Sequence, residues 1–122
     1  MLRQARAEAP IEACGILAGK DSTVEKFYKM TNADQSCTHF MMTPDEQFEV
    51  ARDIRNEDFQ MLAIYHSHPK TPARLSAEDI RLALTPDVVY VILSLKDTKP
   101  VVKGFTVQDE NINEVSVEIS KD

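Results

Sequence analysis

The sequence predicts an α/β (α+β) fold, a mixed β-sheet sandwiched by helices, and three observations carry that expectation. Val88-Val89-Tyr90-Val91-Ile92-Leu93 is a continuous apolar run of the kind buried on both faces of a sheet. Thr43-Pro44-Asp45-Glu46 is an unusually complete helix start, with an N-cap hydroxyl, proline at the first helical position and a carboxylate at the third. Strand-like segments also surround a second helix start at Ser76-Ala77-Glu78-Asp79, and interspersed strands and helices of this kind pack as layers around one core.

In chain order, Leu2–Glu8 reads as the tail of a helix. Ala13–Ala18 reads as a strand, turned by Gly19-Lys20-Asp21-Ser22 into Val24–Met30. Thr38–Met42 is expected as a third strand, with His39 an ordinary strand residue and Met41 and Met42 serving in packing. The helix opened by Thr43 runs to about Asp58; Phe48, Ala51 and Ile54 face the core, and Glu49, Arg52 and Asp53 face water. Met61–Tyr65 is too short and apolar for a helix and is closed by Pro69, so it reads as a buried strand. Ser76 caps a helix in which Asp79 takes the third position and Ile80–Leu84 follows, and Asp87–Leu95 carries the buried run. Lys96–Pro100 turns it into Val101–Val107. Asp109–Asn113 then turns into Val115–Ile119, where Val115, Val117 and Ile119 alternate with polar residues.

No internal repeat, low-complexity tract or linker divides the 122 residues, and a single domain over 1–122 buries roughly two-thirds of its unfolded surface. No stretch approaches the ~20 apolar residues of a membrane span, and the N-terminus lacks the apolar segment of a secretory signal, so the expectation is a cytoplasmic protein with no membrane partner. The net charge of −6, with both signs interleaved and no basic run, argues against a nucleic-acid partner held through phosphates. Cys14 and Cys37 allow one disulfide at most. Cys14 beside Glu12 invites a nucleophile with His66 or His68 as its base, but a buried small-residue role is preferred because free cysteine is commonly buried.

The segment richest in chemistry is His66-Ser67-His68-Pro69, followed after ten intervening residues by Asp79, with Ser76 three residues before it. Side chains alternate along a strand, so His66 and His68 project from one face with Cα atoms roughly 6.5–7 Å apart, close enough to converge on one ion. Two imidazoles and a carboxylate make a three-ligand zinc set, which leaves tetrahedral zinc one position for water. The alternatives are two unrelated histidines at an exposed strand end, and Ser76 and Asp79 as nothing more than a helix N-cap and its third residue. The two roles of Asp79 are compatible if the helix start returns to the end of the histidine strand.

Joined to Pro10-Ile11-Glu12-Ala13-Cys14-Gly15-Ile16-Leu17-Ala18-Gly19, this set resembles the full signature of the JAMM (MPN-plus) metalloprotease family: a glutamate in an early E-x-C-G segment, then HxHP, then S-x-x-D. The likeness runs from Glu8 to about Ile119. It implies a JAB/MPN domain of cytidine-deaminase-like architecture, with part of the first helix and a preceding strand missing. It also implies one zinc per chain held by His66, His68 and Asp79 with water as fourth ligand, Glu12 acting on that water, and Ser76 helping to stabilise the tetrahedral intermediate. Zinc lowers the pKa of its water to about 7, and a carboxylate beside it can take the proton and return it to a leaving amine that departs poorly unprotonated.

The implied substrate is a ubiquitin-like protein, or a sulfur-carrier protein of the same fold, recognised by its C-terminal tail and cut after the final glycine. A homodimer is a further possibility. The rival from another class is a non-catalytic MPN scaffold or dimerisation module, which lacks part of the metal set. A zinc deaminase would use H-x-E and P-C-x-x-C patterns, and neither occurs here.

Overall fold

Helix α1 (Leu2–Glu8) leads into the strands β1 (Cys14–Lys20) and β2 (Thr23–Met30), followed by α2 (Pro44–Asn56), β3 (Gln60–His68), α3 (Ala77–Arg81), β4 (Val89–Ser94), β5 (Val101–Gln108) and β6 (Asn111–Val115). This computed structural model describes residues 1–83, 85, 87–108 and 111–117. The six strands form one sheet in the order β2-β1-β3-β4-β5-β6. Only β3 and β4 run parallel; every other neighbouring pair is antiparallel, so the sheet is mixed as the sequence predicts. The parallel pair demands a crossover, and α3 lies within it.

Side-chain alternation divides the core. On one face Leu17, Ala63, Tyr65, Val91 and Leu93 pack with Ala5 of α1. On the other, Cys14, Ile16, Ala18 and Met30 pack with Ile54 of α2 and with Met42. A smaller cluster of Ala73, Ile92 and Phe105 lies under the chain that follows β3. His66 and His68 belong to the α2 face, in phase with Ile64 and out of phase with Tyr65. The β1–β2 connection is tight: Lys20 faces Thr23, and Asp21 and Ser22 both take positive φ (51° and 67°), the conformation of a two-residue hairpin turn.

Three expectations need correction. Thr38–Met42 is not a strand, because the groups a neighbouring strand would bond are taken by a side chain: Asn32 donates to the His39 carbonyl (3.0 Å) and accepts from the Met41 N–H (3.2 Å). In that segment Met42 packs in the core, whereas Met41 is 55 % exposed.

The α2 helix is rotated relative to its expected seam, with Ile54 buried but Phe48 68 % exposed. Polar anchors set that rotation. Glu46 accepts from the Thr31 N–H and hydroxyl, both at 2.9 Å, while Asp53 accepts from Lys26 Nζ (2.7 Å) and the Tyr28 hydroxyl. Glu46, Val50, Asp53 and Ile54 therefore share the sheet-facing stripe.

The last described strand is Asn111–Val115 rather than Val115–Ile119, and Val117 is exposed. Gln108 pairs with Asn111, so the hairpin sets the register four residues before the alternating valines. Ile119 lies outside the described residues.

The α2 packing gives a stability test. Ile54→Ala is expected to cost about 2–4 kcal/mol in denaturant unfolding, as cavity formation in a core does, and Phe48→Ala to fall within about 0.5 kcal/mol of the parent. Equal losses in the two variants would show that the helix packs through its other face.

Candidate metal centre

The site lies where three pieces of backbone meet at one end of β3. That strand is bonded on both sides, to β1 through Cys14↔His66 and to β4 through His66↔Ile92 and His68↔Ser94, so both histidines stand on fixed backbone. Ser67, between them, points to the opposite face and accepts from the Ala13 N–H (2.8 Å), while its own N–H donates to the Ala13 carbonyl (2.9 Å). The residue between the two histidines thus clamps the segment that carries Glu12.

Beyond β3 the chain is held by the Ser94 hydroxyl on the Thr71 carbonyl (2.5 Å) and by the imidazole of His68, which donates from Nδ1 to the Pro72 carbonyl (2.9 Å). Helix α3 then starts with a reciprocal capping box. Ser76 Oγ accepts from the Asp79 N–H, and Asp79 Oδ2 accepts from the Ser76 N–H, each at 3.0 Å.

The same Asp79 Oδ2 lies 3.0 Å from His68 Nε2 and 3.2 Å from His66 Nε2, and the two Nε2 atoms are 3.0 Å apart. All three residues are buried. Tetrahedral bonds of ~2.0–2.1 Å separate ligand atoms by about 3.3–3.4 Å, so the three atoms need to spread by only a few tenths of an ångström to hold one ion. His68 Nδ1 is engaged with a carbonyl, which directs Nε2 to the shared point. A carbonyl partner on the far nitrogen is the usual support for a ligating histidine. His66 Nδ1 has no partner among the described residues; its ring is instead stacked on Phe40, with centroids 4.8 Å apart and planes at 27°. This donor set fits a divalent cation of the zinc type.

The electrostatics agree with that fit. Burial works to raise the Asp79 carboxyl, but hydrogen bonds from His66 and His68 outweigh it and hold the carboxyl well below the usual range. Burial depresses His66. In His68 the effect of burial is outweighed by the bonds to Asp79 and the Pro72 carbonyl, and its pKa is raised. A proton shared between these ring nitrogens and Asp79 occupies the place a cation takes, so metal binding displaces it.

Glu12, two residues before β1, is 3 % exposed, and its Oε1 has no hydrogen-bond partner among the described residues. Burial, opposed by His68 and reinforced by Asp79, pushes its carboxyl up to about 7. The structure thus brings His66, His68 and Asp79 to one point, with Ser76 bonded to Asp79, and sets Glu12 near enough for the charges of His68 and Asp79 to act on its carboxyl. Cys14 is fully buried, and burial together with the nearby carboxylates Glu8, Glu46 and Glu12 pushes its thiol up to about 12, so the nucleophile reading has no thiolate to work with. Cys14 and Cys37 are both free thiols. His39 is paired with Asp34 (3.0 Å) rather than standing on a strand.

Asn32 and Phe40 belong to no motif in the sequence, and the one local signal is the position of Asn32 just past the end of a strand pattern. A cavity of about 340 Å³ opens beside His66 and Asp79, walled by Phe40, Met42, Ile64, Leu82 and Tyr90 among others. No helix among the described residues is long and apolar enough to cross a membrane.

Comparison with known proteins places these features in a family. The family described as prokaryotic homologs of the JAB domain matches residues 1–107. A CysO-cysteine peptidase of Mycobacterium tuberculosis is 35 % identical over 122 residues, covering 98 % of this chain and 84 % of that protein. A desampylase of Pyrococcus furiosus is 27 % identical over 112 residues, covering 91 % and 78 %. The solution structure of a protein from Desulfitobacterium hafniense superposes with a TM-score of 0.90 at 42 % identity, covering 100 % of this chain and 87 % of that one.

The burial of Glu12 predicts its titration. In the metal-free protein, carbon-detected NMR is expected to show the Glu12 carboxyl titrating near 7, well above its ordinary 4.5, while Asp79 stays ionised throughout that range. A Glu12 midpoint near 4.5 would mean a solvated side chain.

Proposed function

The chain belongs to the prokaryotic homologs of the JAB domain, and from that premise we propose that residues 1–122 form a zinc-dependent peptidase or isopeptidase. It hydrolyses the amide bond after the C-terminal glycine of a ubiquitin-like or sulfur-carrier protein. The observation that carries this function is the convergence of three buried ligand atoms, from His66, His68 and Asp79, beside a buried glutamate that keeps an unpartnered oxygen. A non-catalytic scaffold has no use for three buried ligand atoms aimed at one point. The peptidase among the relatives supports an amide bond as the target. The JAMM-type signature supports a ubiquitin-like acyl side.

His66, His68 and Asp79 would hold the zinc, with the Pro72 carbonyl and the Phe40 ring orienting the imidazoles. A bound zinc supplies Lewis acidity, lowering the pKa of its water to about 7 and polarising the scissile carbonyl. Glu12 takes a proton from the attacking water and delivers it to the amide nitrogen as the C–N bond breaks. One group serves first as base and then as acid. Ser76 Oγ already accepts from the Asp79 N–H, so its hydroxyl hydrogen is the part left to donate to the oxyanion. Such a donor is worth roughly 3–4 kcal/mol when aimed at developing charge.

His68→Ala or Asp79→Ala is expected to lose metal and activity together, measured by elemental analysis alongside cleavage of carrier-protein conjugates; unchanged stoichiometry in both would remove the site. Glu12→Gln should keep its zinc while losing on the order of 10²–10⁴ in rate. Full activity in that zinc-loaded variant would return Glu12 to a structural role. On the substrate side, replacing the final glycine of the tail by alanine should lower kcat/KM about tenfold or more, because glycine permits the closest backbone approach to a buried centre. Equal rates on the two tails would show that the approach to the site is open.

A further inference from the structure

We infer that Asn32 is a positioning residue for Glu12, holding the glutamate through its backbone and, with the same side chain, setting the Phe40 wall of the metal centre. This rests on the role proposed above for Glu12. Asn32 follows β2, is 2 % exposed and is bonded on every side. Its Nδ2 donates to the Glu12 carbonyl (3.0 Å) and the His39 carbonyl (3.0 Å), with the Ser36 carbonyl at 3.4 Å. Its Oδ1 accepts from the Asp34 and Met41 N–H groups, both at 3.2 Å. A primary amide has two donors and two acceptor lone pairs, and this one uses all of them. Aspartate lacks the donors, and alanine lacks both functions.

The need for such a hub follows from the state of Glu12. A buried carboxylate is ordinarily fixed by the hydrogen bonds it accepts, yet Glu12 Oε1 accepts none among the described residues. Its placement therefore comes from its main chain. The Glu12 carbonyl is bound by Asn32, the Glu12 N–H donates to Ser36 (2.9 Å) within the loop that Asn32 closes, and the next residue is clamped by Ser67. The two Asn32 bonds to His39 and Met41 bracket Phe40, whose ring covers the face of His66. His66 and His68 stand on β3, bonded on both sides independently of this loop, so loss of Asn32 should loosen Glu12 far more than it loosens the ligands.

The test uses Asn32→Ala and Asn32→Asp, each alone and combined with Glu12→Gln. In metal-free protein, amide hydrogen exchange should accelerate about tenfold or more at Glu12 in both single variants and at Met41 in Asn32→Ala, whose side chain no longer accepts from the Met41 N–H, with the β3 and β4 amides unchanged. Zinc affinity, from competition with a chelator, should stay within about threefold of the parent. With zinc bound, cleavage of a carrier protein ending in Gly-Gly with cysteine attached as an amide should slow about tenfold or more in the parent background, with no further loss in the Glu12→Gln background. Equal losses in both backgrounds, zinc affinity falling in step with rate, or unaltered exchange at Glu12 and Met41 would each overturn the assignment. If Glu12→Gln alone retained full activity, the role of Glu12 would fall while the exchange measurement still judged the tether. Should neither variant fold, exchange in the parent decides: Glu12 and Met41 must open as one unit, and independent opening refutes the hub.

Discussion

One carboxylate oxygen, Asp79 Oδ2, is the point on which the rest of the structure closes. It accepts the Ser76 N–H at the start of α3 and lies within hydrogen-bond reach of both imidazoles at the end of β3. A helix cap is a local feature satisfied within four residues, whereas the approach to His66 and His68 requires the chain to return across the parallel β3–β4 crossover to the strand it has just left. The capping box makes that return rigid, because a carboxylate that turned away to solvent would leave the Ser76 N–H at the helix cap without its acceptor. Secondary structure and site chemistry are thus enforced by the same atom.

A second tier of contacts works through main chain. Ser67 reaches back to Ala13, Asn32 to Glu12, and His68 to Pro72. The first two join the Glu12 segment to residues distant in sequence, and the third fixes the chain four residues beyond the histidine. Glu12 illustrates the consequence: burial raises its pKa into the neutral range, and its Oε1 has no hydrogen-bond partner among the described residues. Where the frame is satisfied, the reactive group is not.

The sequence was most legible where short-range chemistry decides structure. The caps at Thr43 and Ser76 behave as their residue types require, and the alternation that puts His66 and His68 on one face survives unchanged. The spacing to Asp79 needed the family pattern to become more than a helix start. Failures fall where a distant polar partner overrides local pattern. Thr38–Met42 has strand-like composition, but its backbone is claimed by Asn32, a residue with no periodic signature. The α2 helix has apolar residues enough for more than one seam, and the choice is made by Glu46 and Asp53 finding partners on β2 and just beyond it. For the final strand, the hairpin register outranked a better-looking alternation.

The cavity beside the centre is walled on one side by Phe40 and Met42, from irregular chain, and on the other by Leu82 and Thr85, beyond the last turn of α3. The histidines stand instead on a strand whose register is fixed by two neighbours. Insertions and deletions are tolerated in irregular surface chain and not in a central strand. The molecule therefore separates what can vary from what cannot. A lineage, or an engineer, can rebuild the wall beyond α3 to suit a new leaving group, whereas the Phe40 wall is tied through Asn32 to Glu12 and cannot be rebuilt without disturbing the reactive centre.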